Sequence, residues 1–405
     1  MKALAFNVNT AKFIVAKSLG AMFGARVFYK GPFRTIRLIE IPEPQMRGPE
    51  WVKIKTRACG LCGSDLNLIR LHDSPTASPF TSFPCVIGHE MVGEIVETGN
   101  NVDTFKPGDR VVINPALSCE ARGITPPCEI CTVGKAGNCE NFANGNLPPG
   151  MFIGINSGVN GGFAPIVTAH KSQLFRVPDS LSMESAVMTE PASVALQTIF
   201  DNMPESGDRV LVIGGGVIGN LLVQSIRALT QNCHVSVIEP AVHAAKLARE
   251  CGADVIIPVA KAFDYTADIT RATVYRPLLG MKITMGGFNR IYDTVASSKT
   301  LNLGMRLLKT MGKLSVVGIG GDVKLDLTPL WLKLQSIHGV YGSGVVTYEG
   351  QKRHVFDIVI QFMAAGLISA DKLVTHRFAL EDYETMIEVN LRKKAHGAMK
   401  TIVTF

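Results

Sequence analysis

No run of eighteen predominantly apolar residues occurs in the 405-residue chain, so no membrane-spanning helix is expected. The longest charge-free stretch, 141–169, is broken by glycine, asparagine and proline and reads as loop. Charged residues are few, at 19%, and the net charge of +7 is not gathered into a basic block. Nucleic-acid binding calls for clustered cations in a recognisable module, so neither nucleic acid nor membrane is expected as a partner. Hydrophobic residues at 46% exclude a disordered chain. The 39 glycines and 21 prolines follow no period, and there is no internal repeat, which excludes collagen-like and low-complexity architectures. Near the start, Asn7, Asn9, Lys12 and Lys17 break up the apolar Phe13–Ala16 region, leaving no signal-peptide core. A cytoplasmic protein is expected.

What the chain does have is a crowd of cysteines. Seven of the nine lie between Cys59 and Cys139, with only Cys233 and Cys251 outside. In a chain this long, clustered thiols point to metal or catalysis rather than to a disulfide scaffold. The length implies two or three domains, and the texture of the sequence changes along it. Up to about residue 190, short Val/Ile runs alternate with turn signals such as Lys106-Pro107-Gly108-Asp109, as in an antiparallel β domain. From there to about residue 341, strand-like runs such as Arg209–Ile213 alternate with helical periodicity, which argues for a parallel doubly wound sheet. The last sixty or so residues revert to mixed texture. The expected domains are therefore 1–191 with 342–405, and 192–341, with 1–24 as an N-terminal extension ahead of the first β unit.

Gly214-Gly215-Gly216-Val217-Ile218-Gly219 matches GxGxxG between a buried-type strand and a helix. Gly214 is expected to make the tight turn, Gly216 to admit a pyrophosphate, and Gly219 to let helix and strand pack closely. The helix start at Val217 and Ile218 supplies N–H donors. Glu239, twenty positions beyond Gly219 at the end of the next strand, fits the carboxylate that holds both adenosine ribose hydroxyls and repels a 2′-phosphate. This favours NAD over NADP.

Three separated residues could hold a catalytic Zn²⁺: Cys62 in Cys-Gly-Ser-Asp, His89 in Gly-His-Glu, and Glu190 in Thr-Glu-Pro. One thiolate, one imidazole and one carboxylate leave a tetrahedral zinc with an open position. Taken singly, each also reads as an ordinary buried or capping residue, and spacing alone does not join them. Cys128, Cys131 and Cys139, with Cys119 nine positions upstream of Cys128, suit a closed four-thiolate structural zinc. The signal is weaker for Cys119.

From about Ala25 onward, these motifs and their order resemble the medium-chain, zinc-dependent alcohol dehydrogenase family, with polyol and threonine dehydrogenases as neighbours. The resemblance implies an α/β protein: a GroES-like β-rich catalytic domain built from both chain ends, a Rossmann-type doubly wound cofactor domain between them, and an active site in the cleft. By the same resemblance Cys62, His89 and Glu190 bind the catalytic zinc, the glutamate being the polyol-dehydrogenase variant. Asp65 orients His89, Glu90 is the acidic neighbour of the metal, and Ser64 hands on the substrate proton. Three positions depart from the family pattern. Thr125 stands where the first cysteine of the structural lobe is usual, so Cys119 replaces that ligand only if 120–127 loops out. Asn67 stands where many members have the last histidine of a proton relay, with His72 a weak substitute. Cys59, three before Cys62, reads as a small buried residue.

The expected activity is reversible hydride transfer between an alcohol (primary, secondary or polyol) and NAD, with a small alcohol or carbonyl as substrate and a homodimer or homotetramer as assembly. The substrate pocket is expected around Leu66, the 71–83 stretch and the loop near Asn156. Two alternatives remain: a redox-neutral dismutase or lyase with tightly held NAD on the same fold, and a non-catalytic relic.

Overall fold

The computed structural model describes every residue except Gln231 and Gly320. The chain divides into two compact units, one of Met1–Glu190, Gly342–Ala364 and Ala370–Phe405, the other of Pro191–Tyr341 and Ala365–Ser369. Ser369 N donates to Gln224 Oε1 at 2.7 Å, which ties that short return segment to the second unit.

The first unit is built on a largely antiparallel seven-stranded sheet. Its path runs from Val374–Phe378 through Lys400–Thr404, Trp51–Gly60, Glu90–Thr98 and Arg110–Ile113 to Leu174–Arg176, with Ile166–His170 also paired to Trp51–Gly60. The central strand Trp51–Gly60 alternates loosely and is buried along most of its length, because it has neighbours on both sides and core on one face. Its pairing with Glu90–Thr98 shifts register twice, and after the second shift Gly60 lies opposite Glu90. On its other side Gly60 lies opposite Ile402. The C-terminal strand is thereby brought to the end of the strand that leads into Cys62.

The expectation that residues 1–24 form an extension ahead of the first β unit needs correction. Lys2–Phe6 is the middle strand of a three-stranded antiparallel sheet, between Ile36–Glu40 and Cys85–Val86. Leu4 and Phe6 are fully buried in the main core. The added piece is the helix Thr10–Phe23, inserted between the first two strands. Five residues are too few for a period-2 pattern to stand out when both faces are covered.

The second unit is a six-stranded parallel sheet in the order Val255–Ile257, His234–Ile238, Arg209–Ile213, Phe288–Asp293, Leu308–Val316, Ser336–Gly339. Val210–Ile213 and Val235–Ile238 are buried throughout, as expected of strands covered on both faces. The chain order reverses between the strands Arg209–Ile213 and Phe288–Asp293. In such sheets, the crevice outside the strand ends at this switch point is where ligands bind.

Candidate functional site

At the carboxyl end of Arg209–Ile213 each glycine has its own reason. Gly214 has φ +97°, a left-handed value open to glycine. A Cβ on Gly219 would lie 1.9 Å from Gly214 O, so the turn and the first helical turn could not both form. A Cβ on Gly216 would meet nothing within 4 Å, so the space above it is open to a ligand. Gly216 caps the helix Val217–Leu229, whose first N–H groups, from Val217 and Ile218 onward, are left for an anion. Glu239 reaches back to this loop: Oε2 accepts from Gly215 N at 2.8 Å, and Oε1 accepts from Ala241 N at 2.6 Å. Buried Asn220 donates through Nδ2 to Gly215 O and Gly216 O and pins the turn from below. Sequence reasoning missed Asn220, although its position one residue past the motif could have pointed to it.

In the first unit, the strand end at Gly60 delivers Cys62 as the cap of the helix Gly63–Ile69. Asp65 accepts the Cys62 N–H through Oδ2 at 2.8 Å, while its Oδ1 lies 3.4 Å from His89 Nδ1. Ser64 Oγ lies 3.4 Å from His89 Nε2. With Nδ1 facing Asp65, the imidazole keeps Nε2 available as a metal donor. Burial by itself would lower the pKa of His89, yet Asp65 and then Cys62 outweigh it and hold it well above its ordinary value. The pocket therefore favours positive charge at this point.

The ligand atoms of Cys62, His89 and Glu90 all lie within 4.8 Å of one another. Glu190, in the first turn of the helix Thr189–Asp201, is outside that group. Its carboxyl is pushed up to about 7 by burial, with the charges of His89, Glu90, Lys400 and Asp65 also acting on it.

Glu90 is already engaged. Lys400 Nζ donates to both of its oxygens, at 2.6 and 2.5 Å, and also to Leu61 O at 3.4 Å. Both members are almost fully buried, with 4% and 1% of their side-chain surface exposed. Gly60 makes room for the pair, since a Cβ there would lie 2.0 Å from Glu90 Oε2. Neither Lys400 nor Gly60 was singled out in the sequence; 310 residues separate Lys400 from Glu90 and no local pattern links them.

The four cysteines Cys119, Cys128, Cys131 and Cys139 also converge, with their sulfurs within 4.8 Å of one another. Cys119 Sγ lies 3.5 Å from Cys139 Sγ and accepts from Cys128 N at 3.3 Å and Asn141 Nδ2 at 3.2 Å. Residues 120–127 run through turns, and the chain brings Cys119, rather than Thr125, to the other three thiols. Burial works upward on all of these thiols whose pKa moves, but backbone N–H groups bring Cys128 down to about 7 while Cys139 rises to about 11. Four sulfurs this close ionise together only around a cation, so the donor set fits a four-thiolate zinc. All nine cysteines are free thiols. Asn156, expected near the substrate pocket, is instead used within its own loop: it donates to Pro148 O and accepts from Gly158 N and Val159 N.

Comparison with known proteins agrees with this arrangement. The family described as Alcohol dehydrogenase GroES-like domain matches residues 48–179, and that described as Zinc-binding dehydrogenase matches 217–365. The (R,R)-butanediol dehydrogenase of Bacillus subtilis (strain 168) is 29% identical over 357 residues, covering 86% of this chain and 91% of its own. A crystal structure of the 2R,3R-butanediol dehydrogenase from Bacillus subtilis superposes with a TM-score of 0.71 over 91% of this chain and 96% of that one, at 26% identity. The sorbitol dehydrogenase of the same strain is 27% identical over 365 residues, 89% of this chain and 92% of its own. A protein of Sinorhizobium meliloti 1021 solved with NADP bound gives a TM-score of 0.70 at 25% identity, covering 91% of this chain and 95% of that one.

Two expectations follow from the geometry. Lys400→Met leaves the Glu90 charge buried without a partner and should cost about 3–5 kcal/mol in chemical denaturation. Adding Glu90→Gln should recover a large part of that loss, and strictly additive effects would show that the two side chains are not coupled. Metal analysis should find two zinc ions per wild-type chain and one in Cys119→Ser; two in both would remove Cys119 from the ligand set.

Proposed function

The chain belongs to the medium-chain, zinc-dependent alcohol dehydrogenases of the polyol type and is an oxidoreductase that moves hydride reversibly between an alcohol and a nicotinamide cofactor; from that premise we propose that Cys62, His89 and Glu190 hold its catalytic zinc. The observation that carries this reading is the Lys400–Glu90 pair. Cys62, His89 and Glu90 cluster, and both Glu90 oxygens also accept from a buried ammonium, which supports Glu190, the glutamate of the polyol-type pattern, as the third ligand. Glu90 then serves as a charged neighbour of the metal rather than a permanent ligand. The zinc, when bound, supplies a Lewis acid that lowers the pKa of a coordinated hydroxyl.

The protein's own side chains do the rest. Asp65 fixes the His89 ring and, through the Cys62 N–H, the turn that carries the thiolate. The Ser64 hydroxyl, beside His89 Nε2, takes the substrate hydroxyl proton and passes its own outward. Among the described residues its hydroxyl hydrogen-bonds to no side chain other than His89, and Asn67 carries an amide that accepts no proton. His72, exposed and with no link to Ser64, does not extend the relay. The proton leaves Ser64 to solvent.

The cofactor is NAD rather than NADP. This rests on Glu239, which presents a half-buried carboxylate at the end of the second strand, beside the glycine loop. The substrates are small alcohols of the diol or polyol class, in keeping with the butanediol and sorbitol dehydrogenases above. The nine free thiols suit a reducing cytoplasm. The sheet edge Ser336–Gly339, flanked by exposed Trp331 and Leu334, suits pairing with a second copy.

Activity is tested by NADH absorbance on 2,3-butanediol and sorbitol, with metal content measured alongside. Cys62→Ala, His89→Ala and Glu190→Ala should each lose the catalytic zinc and at least about 100-fold in kcat/KM, beyond the usual effect of losing an outer-shell partner. Glu90→Gln should keep the zinc. The reverse result for the two glutamates would make Glu90 the ligand. Retained NADH with no net release during turnover would favour the redox-neutral alternative.

Cofactor choice gives a separate test. The wild-type enzyme should prefer NAD by on the order of a hundredfold in kcat/KM, from like-charge repulsion and lost hydrogen bonds. Glu239→Ser should narrow that gap while leaving the ranking of alcohols unchanged. Equal values for both cofactors in the wild type would remove Glu239 from the site.

A further inference from the structure

The inserted helix Thr10–Phe23 is fastened to the first unit by one narrow face. Ala16 is its only buried residue. At Gly20, one turn on, a Cβ would lie 2.3 Å from the Phe28 ring, so the helix rests there directly on an aromatic side chain. At 100° per residue the opposite side carries Ala11, Ile14, Ser18, Ala21 and Met22, with Val15 at its edge. Ile14 is 60% exposed, Met22 74% and Phe23, at the helix end, 68%. A surface helix ordinarily turns polar residues outward. Here, apart from Ser18, the outward side is apolar.

The charged residues of the first 39 positions have one sign, although Asp73 acts electrostatically with Lys17. Residues 1–39 contain seven cations (Lys2, Lys12, Lys17, Arg26, Lys30, Arg34 and Arg37) and no Asp or Glu, which equals the net charge of the whole chain, +7. Lys2 is paired with Glu381, and Lys30 with Glu384 and Glu388. Among the described residues, Lys12, Lys17, Arg26, Arg34 and Arg37 have no carboxylate at ion-pair distance. Lys12 and Lys17 donate to the backbone carbonyls of Asn7 and Leu71, and Arg37 to that of Pro32. Burial, then Arg37 and Arg34, hold Lys12 below its ordinary value, so Lys12, Arg34 and Arg37 stand near one another.

We propose that the apolar outer face of the helix Thr10–Phe23 and its surrounding cations dock the protein on an anionic phospholipid surface. A second copy of the chain is the poorer occupant. A two-fold contact sets a patch against itself, which would bring these unpaired cations together. A bilayer with acidic headgroups offers apolar depth for Ile14, Val15 and Met22 and negative charge for the cations beside them. No helix among the described residues is long and apolar enough to cross a membrane. This 14-residue helix is about 21 Å long and lies on the surface instead. The lack of a spanning run, from which no membrane partner was expected, bears on crossing and not on lying flat.

The test is cosedimentation of the full chain with phosphatidylcholine vesicles and with mixed phosphatidylcholine–phosphatidylserine vesicles. Binding should be at least about tenfold stronger to the mixed vesicles and fall as salt is raised. Ile14→Glu with Met22→Glu should weaken it by about tenfold or more. Lys12→Gln with Lys17→Gln, which leaves the apolar face intact, should weaken it severalfold and flatten the salt dependence. Circular dichroism and the melting temperature establish that the variants fold; should the glutamate pair unfold, Ile14→Ser with Met22→Ser replaces it. No binding to the mixed vesicles, or equal binding by the apolar-face variant, overturns the proposal. So does a wild type that ignores vesicles but whose particle mass halves in the apolar-face variant, since the face then joins two copies.

Discussion

A cation and an anion removed from water together organise the first unit. Lys400 and Glu90 are held at 2.6 and 2.5 Å with almost no exposed surface. Two buried charges are tolerable only if each has the other, so the pairing of the C-terminal strand with Trp51–Gly60 is tied to the chemistry of the site. Register, a glycine and a charge pair act as one constraint. Ile402 lies opposite Gly60, which lies opposite Glu90, and Gly60 leaves the volume that the pair fills. The same pair occupies Glu90, both of whose oxygens accept from Lys400. The donor atoms of Glu90 lie with those of Cys62 and His89, and the same carboxylate also accepts from the buried ammonium.

The cysteine lobe shows a similar balance of charge. Arg122 is fully buried and no carboxylate pairs with it among the described residues. Its guanidinium donates to the carbonyls of Leu117, Asn144, Leu147, Pro148 and Gly150, which gathers the loop on both sides of the cysteines. Burial lowers its pKa, and Cys139 and Cys119 act against that. Four thiolates around a divalent cation leave two net negative charges, and a buried guanidinium is a suitable counter-charge. The turns at 120–127 therefore bring both Cys119 and this cation to the thiol cluster.

Much of the architecture was legible because its signals are local. Strand, glycine turn, helix and acid follow one another over the thirty-one residues from Arg209 to Glu239, and Cys128, Cys131 and Cys139 stand at lobe spacing. Cys119 was legible only as the weaker candidate for the fourth ligand, since its role depends on a loop whose path no propensity dictates. Lys400, Gly60, Arg122 and Asn220 were not legible. Each acts through a contact whose partner the sequence does not identify, and a lysine at the head of a terminal strand looks like a solvated residue until the sheet is assembled. The strand Lys2–Phe6 was hidden for a further reason: the helix inserted after it makes the whole segment look like an appendage.

The nucleotide loop couples two recognitions usually discussed apart. Glu239 does not stand idle beside a ribose position; it accepts the Gly215 N–H and the Ala241 N–H and so helps set the shape of the glycine turn. A 2′-phosphate close to it would repel the carboxylate, and a carboxylate that swung away would release the Gly215 N–H. The turn that must receive the pyrophosphate would then lose one of its restraints, leaving Asn220 to hold it alone from below. Any discrimination against a 2′-phosphate at Glu239 would thus act at the pyrophosphate as well as at the ribose. A residue that merely lacked negative charge at 239 would remove the repulsion without restoring the hydrogen bond, so relaxing cofactor choice here weakens both cofactors before it favours either.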